Sequence, residues 1–143
     1  MKKLLSSLLL CVMAFALAGC NDTGERSGTL SEIDVDLTGM SATMVYAEVY
    51  NMLTSPADYL GKTVKMSGSF SVYEEADRNY YACLIADATA CCSQGIEFVL
   101  DGDPTYPEDY PELNSLITVT GIFDTYIEDG YLYCQLLNAT LEK

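Results

Sequence analysis

The sequence predicts a mainly β domain, a small five-stranded antiparallel barrel with an N-terminal helix. Three observations predict it. From Lys62 to Tyr73, Val64, Met66, Phe70 and Val72 alternate with Lys65, Ser67, Ser69 and Ser71, and a period of two belongs to a strand with one buried face. Val64-Lys65-Met66-Ser67-Gly68-Ser69-Phe70 recurs as Ile117-Thr118-Val119-Thr120-Gly121-Ile122-Phe123, both reading apolar, polar, apolar, hydroxyl, glycine, any residue, Phe. A glycine inside a strand is costly unless the strand bends sharply or another backbone comes close, as where a small barrel coils. Finally, Glu128-Asp129-Gly130 is a hairpin turn signal between two strand-patterned runs.

The chain begins with Lys2 and Lys3, an apolar run from Leu4 to Ala18, and then Leu17-Ala18-Gly19-Cys20. A charged start, a short apolar stretch and small residues at its end make residues 1–19 a signal peptide. A membrane-spanning helix needs about 20 apolar residues and no such ending. Leu17-Ala18-Gly19-Cys20 resembles the bacterial lipobox. The resemblance implies cleavage before Cys20 and acylation of its thiol and new amine by diacylglycerol and palmitate-type chains. Acyl chains contribute roughly 0.8 kcal/mol per buried methylene, so two or three of them anchor a small domain durably. The expected address is extracytoplasmic, on the cell membrane or outer membrane, with the lipid anchor as the membrane contact. Asn21 follows Cys20 in place of the Asp associated with inner-membrane retention.

Losing residues 1–19 removes two of 7 basic residues and none of 21 acidic ones, leaving a charge of −16 and no histidine. Nucleic-acid affinity comes largely from Lys and Arg displacing counterions, so so anionic a surface excludes nucleic acid as a partner. What remains fits one domain with one core.

Residues 20–43 are rich in Gly, Ser, Thr, Asp and Glu and read as a flexible tether holding the domain about 26 Å from the lipid. Val35 and Leu37 as a short edge strand is the alternative. The domain then spans residues 44–143. Thr43 can cap a helix running to about Thr54, with Val45, Val49 and Met52 or Leu53 on one face and Pro56 ending it. After a turn at residues 56–61 comes the long first strand. Tyr80 to Ala86 and Gly95 to Leu100 read as the second and third strands, the Ile117 segment as the fourth, and Tyr131 to Leu141 as the fifth. Asp101 to Ser115 holds three prolines and reads as a loop.

The leading helix, Tyr59-Leu60-Gly61-Lys62-Thr63-Val64 and the paired mid-strand glycines resemble the OB-fold, a five-stranded Greek-key barrel, over residues 44–142. Another antiparallel barrel or a sandwich is the alternative. Cys91-Cys92 and the strand after it, together with Tyr59-Leu60-Gly61-Lys62-Thr63-Val64, also resemble the extracytoplasmic half of a bacterial permease-associated family of unknown function linked to zinc supply. That resemblance does not extend to the family's membrane helices.

Cys83, Cys91, Cys92 and Cys134 fall in the domain. They suit either a thiolate metal site, with zinc as the favoured ion, or a structural role as disulfides or buried small hydrophobes. Adjacent Cα atoms lie about 3.8 Å apart, below the roughly 4.4–6.8 Å of a relaxed disulfide, so Cys91 and Cys92 are not expected to bond each other. Placed in the bend between the second and third strands, they can share an ion with Cys134, with Cys83 as the fourth candidate ligand. Asp87, Gln94 and Glu97 are candidate oxygen ligands.

Among the eleven tyrosines, Tyr73, Tyr80, Tyr81, Tyr126, Tyr131 and Tyr133 gather at expected strand ends. There they are either ligand-binding aromatics or residues half-buried on a pleated surface. Asp101-Gly102-Asp103 and Glu128-Asp129-Gly130 read as turns, because neither supplies a calcium-binding ligand series. Without a histidine base, a serine elbow, a phosphate loop or a Cys-x-x-Cys pair, no enzyme is expected. The expectation is a non-enzymatic binding module of the cell envelope, whose partner is an envelope protein or a small ligand. A zinc-binding lipoprotein is the alternative, and a thiol redox enzyme is the least favoured reading.

Overall fold

The computed structural model describes residues 32–75 and 78–142. The expected signal peptide, Cys20 and the expected tether up to residue 31 lie outside the described residues. The protein is mainly β, with one α-helix and a six-stranded mixed sheet. Its elements are β1 (Val35–Asp36), α1 (Ala42–Thr54), a 3-10 turn (Pro56–Asp58), β2 (Thr63–Glu75), β3 (Arg78–Ala86), β4 (Ser93–Leu100), β5 (Leu116–Glu128) and β6 (Tyr131–Leu141).

Two expectations are corrected at the N-terminal side. Residues 35–37 are part of the fold and not tether: Val35 pairs with Val64 in parallel, Leu37 N–H donates to the Lys65 carbonyl at 2.9 Å, and Leu37 is 1% exposed. The alternative reading of Val35 and Leu37 as a short edge strand is the one the structure takes; burying one leucine and pairing its backbone is enough to order the segment. The helix also starts earlier. Ser41, in extended backbone, is its N-cap and accepts from Met44 N–H at 3.4 Å, so Thr43 lies inside the first turn. Val49 and Met52 are its buried residues, and α1 packs against β3, β4 and β6.

The sheet runs β1-β2-β3-β4-β6-β5, and β2 pairs with β5 as well as with β3. The first half of β2, Thr63 to Ser69, pairs with β5, and Ser69 to Glu75 pairs with β3. The hydrogen-bonded circuit β2-β3-β4-β6-β5 therefore returns to β2. The expected purely antiparallel arrangement is corrected: β1–β2 and β4–β6 are parallel, and β1 makes six strands where five were read. Parallel β4 and β6 follow from chain path, since β5 runs between them and pairs with β6 as an antiparallel hairpin.

Both echoed glycines sit where backbones crowd. A Cβ on Gly68 would come within 2.4 Å of the Leu84 carbonyl oxygen and 2.8 Å of Cys83 Sγ. One on Gly121 would meet Leu136 Cβ at 2.9 Å and the Leu137 carbonyl oxygen at 3.0 Å. Gly68 marks the handover of β2 from β5 to β3. Opposite Gly121 the register slips, and two residues of β6, Asn138 and Ala139, face the single glycine, with Asn138 at φ 50. That is a bulge bending the strand.

Inside the circuit, Phe70, Phe98 and Phe123 are the largest fully buried side chains, packed with Met66, Ile96 and Leu136. The segment at 101–115 forms turns and no helix, and it sends Tyr106 and Tyr110 back onto Tyr81. No helix among the described residues is long and apolar enough to cross a membrane.

Candidate functional site

Strand alternation sorts the tyrosines between two faces. On β3, Tyr81, Cys83 and Ile85 point into the core, while Tyr80, Ala82 and Leu84 point out. On β2, Ser71, Tyr73 and Glu75 share that outer side. These residues, with Glu97 of β4 and Glu128, Asp129 and Tyr133 of the β5–β6 hairpin, line a groove of about 400 Å³. Small Ser71 and Ala82 leave its middle open, and tyrosines and carboxyl groups form its walls.

Register brings the wall residues together. Tyr73 lies opposite Tyr80 and Glu75 opposite Arg78 in the β2–β3 hairpin, and Tyr126 lies opposite Tyr133 in the β5–β6 hairpin. The latter turns on Asp129 (φ 51) and Gly130 (φ 84), both left-handed, the backbone that matches the twist of paired strands. Tyr126 and Tyr133 stack at 5.3 Å with 20° between planes. Tyr80 Oη donates to Glu128 at 2.9 Å and Tyr126 Oη to Glu97 at 2.7 Å. Arg78 spans the two hairpins: its guanidinium lies 4.6 Å from the Tyr80 ring centre and 5.7 Å from that of Tyr126, and Nη1 contacts Glu128 Oε1 at 3.2 Å.

The electrostatics follow from these contacts. Partial burial pushes the Glu97 carboxyl above its ordinary range, against the opposing pull of Tyr126 and Arg78. The Glu128 hydrogen bond pushes the Tyr80 phenol up to about 12. Burial and the bond to Glu97 raise Tyr126 as well. Both phenols therefore stay protonated donors at neutral pH and hold the carboxyl groups in place.

Of the tyrosines nominated from sequence, Tyr73, Tyr80 and Tyr133 line the groove, Tyr126 backs it, and Tyr131 is 70% exposed at the hairpin end. Tyr81 is placed elsewhere. It stacks on Tyr110 at 4.0 Å and on Phe70 at 6.3 Å, as part of the core's aromatic cluster. Sequence reasoning missed Arg78, Ser71 and Glu75 as neighbours of the tyrosines, and gave Glu97 and Glu128 other roles. Extending the alternation of β2 by two residues would have put Glu75 beside Tyr73.

The cysteines do not converge as a set of four. Cys91 and Cys92 lie in the turn between β3 and β4. Cys83 is fully buried against Gly68, and Cys134 is 8% exposed with its thiol 3.9 Å from the Met52 carbonyl. The parallel β4–β6 pairing brings the strands together, but Cys134 points into the core and the thiol turn stands outside it. All four are free thiols. Gln94 donates to the Tyr46 carbonyl and Glu97 faces the groove, so of the candidate oxygen ligands only Asp87 joins Cys91 and Cys92. Their ligand atoms lie within 4.8 Å of one another, a group that can hold a metal ion. Cys91 Sγ is 3.6 Å from Cys92 Sγ and 3.3 Å from Asp87 Oδ2. Desolvation pushes the Asp87 carboxyl up, but bonds from Cys91 and Thr89 together outweigh it and hold it below its ordinary value. The hydrogen bond with Cys91 raises the Cys92 thiol.

Thiol labelling reads this division directly. Ellman's reagent is expected to react with Cys91 and Cys92 in the folded protein and to reach Cys83 and Cys134 only on unfolding; fast native labelling of Cys83 would contradict its burial. Burial pushes the Cys83 thiol from 9.0 up to about 12. Its stabilising neutral form is fully present below the unfolded value, and that contribution is lost as pH rises toward 12.

The fold and site define a small β protein with an aromatic, carboxyl-lined groove on the outside of its sheet and a thiol turn between β3 and β4. The chain matches no protein family, no curated protein and no solved structure.

Proposed function

We propose that this chain is a lipoprotein of the cell envelope, anchored through Cys20 and facing out of the cytoplasm, that acts as a non-enzymatic binding module with the Tyr73–Tyr80–Tyr133 groove as its ligand seat. The circuit of strands is read as a five-stranded OB-like barrel with β1 added at its side. The groove carries the reading: about 400 Å³, with ring faces and a few fixed polar groups, is the size and make-up of a small-ligand site. Anchored through Cys20 on the outer side of the membrane, the domain carries the groove to ligands beyond the cytoplasm.

The Tyr80 hydroxyl, held on Glu128 as a protonated donor, is a fixed polar group of the kind a binding seat uses. The Cys92 thiol is raised, the reverse of what a reactive redox cysteine requires. Metabolic labelling with an alkyne fatty acid in a bacterial host tests the anchor. The wild type is expected to carry label and sediment with membranes, and Cys20→Ser is expected to lose label and accumulate unprocessed. An unlabelled wild type in the soluble fraction would remove the lipoprotein reading.

A second reading, a metal-binding lipoprotein, is favoured by the Asp87–Cys91–Cys92 geometry. Two thiolates at about 2.3 Å from a tetrahedral ion stand roughly 3.8 Å apart, and the two sulfurs here are 3.6 Å apart. Anaerobic purification followed by elemental mass spectrometry tests it. One zinc per chain, lost in a Cys91→Ser, Cys92→Ser double variant, supports it; a metal-free wild type removes it.

A further inference from the structure

We propose that the groove binds a small organic cation, an amine or guanidine on an alkyl body, and that Arg78 holds the cation's place on the tyrosine faces when no ligand is bound. The inference rests on the groove being the ligand seat and names the chemistry of what sits there.

The tyrosine walls carry the argument more than the carboxyl groups, which are common on so acidic a chain. A cation within about 6 Å of an aromatic ring centre is attracted to the ring face, and the protein already places one there. Arg78 lies 4.6 Å from Tyr80 and 5.7 Å from Tyr126, closed by Glu128 Oε1 at 3.2 Å. Its side chain is 51% exposed. An ion pair so exposed contributes roughly 1 kcal/mol or less, so Arg78, which sits at the Tyr80 wall and is not itself one of the lining residues, is held weakly enough for a ligand to displace.

The walls also supply more negative groups than Arg78 can meet. Glu75, Glu97, Glu128 and Asp129 line the groove, four carboxyl groups to one guanidinium. Tyr126 holds Oε2 of Glu97, and among the described residues no hydrogen bond reaches its Oε1. That oxygen, on a partly desolvated carboxyl, is a ready acceptor for an N–H donor, and charge-assisted bonds of this kind are the stronger class.

Two other ligand chemistries fit less well. Among the described residues the group of three acidic and thiol side chains whose ligand atoms lie within 4.8 Å of one another is Asp87, Cys91 and Cys92, and no three groove carboxyls converge in that way. They suit a charge spread over an organic body. A neutral sugar would leave the charge gathered on these walls unmet, and the Tyr80 and Tyr126 hydroxyls are already committed to Glu128 and Glu97.

Isothermal calorimetry on the full chain in mild detergent, with putrescine, agmatine and glucose as probes at low ionic strength, tests the proposal. At least one amine is expected to bind once per chain and to weaken as salt is added. Glu97→Gln and Glu128→Gln are each expected to weaken it about tenfold, the loss of one charge-assisted bond. Arg78→Ala is expected to tighten it about threefold by removing the competing cation, and Glu108→Gln, on the remote loop, is expected to leave it unchanged. Circular dichroism melting of each variant separates a lost contact from a lost fold. Failure of both amines to bind, equal weakening in Glu108→Gln, or binding of glucose alone would overturn the proposal. Glucose seated in the groove would still leave the binding module standing, and a missing acyl label would remove the anchor without touching the cation result.

Discussion

Gly68→Ala is expected to lower stability by roughly 3 kcal/mol, the upper end of what forced overpacking costs. The new methyl would lie 2.4 Å from the Leu84 carbonyl oxygen, 2.8 Å from Cys83 Sγ and 2.9 Å from Ile85 Cδ1. The carbonyl belongs to β3, and β2 is held at this point by β5 on one side and by β3 on the other. Neither neighbour can retreat without opening the circuit. Gly39→Ala, with nothing within 4 Å and no left-handed backbone, is the matched control, expected within about 0.5 kcal/mol of wild type. Urea unfolding followed by circular dichroism measures both. Equal midpoints for the two variants would mean that β2 does not cross so close to β3.

Leu37→Ala has the second large effect, expected near 3 kcal/mol for a leucine removed from a packed core. Leu37 is 1% exposed, and its segment is tied down by Leu37 N–H to the Lys65 carbonyl, Asp34 N–H to the Thr63 carbonyl and Thr63 N–H to Asp34 Oδ2. If residues 35–37 were tether, the same substitution would cost nothing measurable. Urea midpoints again decide, and an unchanged midpoint would return the segment to the linker.

The strands were legible because each carries its own period. The alternation in β2 and the echoed pattern in β5 gave their cores, and Asp129-Gly130 gave the hairpin with the residues of β6 at their observed bounds. The echoed glycines were legible as close approaches for the physical reason found, a backbone that leaves no room for a Cβ. Less could be read where order comes from distant partners. β1 has two residues and owes its conformation to β2, and Ser41, two residues before Thr43, is the side chain that caps the helix by accepting from Met44 N–H.

The site was legible in its parts and not in its assembly. Clustering tyrosines at strand ends pointed at Tyr80, Tyr126 and Tyr133, but the same reasoning took in Tyr81, which alternation turns toward Phe70. Arg78 carried no signal, because its partners Tyr126 and Glu128 lie some fifty residues away in sequence and meet it only through register. For the cysteines, strand parity decides: Cys83 and Cys134 fall on inward positions, while Cys91 and Cys92 stand in a turn where parity does not apply.

Hydrogen–deuterium exchange on the full chain, with and without a low-molecular-mass extract of a bacterial envelope, tests most directly whether the groove is where this protein meets its ligand. Slowed exchange at residues 71–75, 78–84 and 126–133 is the expected result. Slowing at residues 87–92 alone, or none at the groove strands, would contradict it.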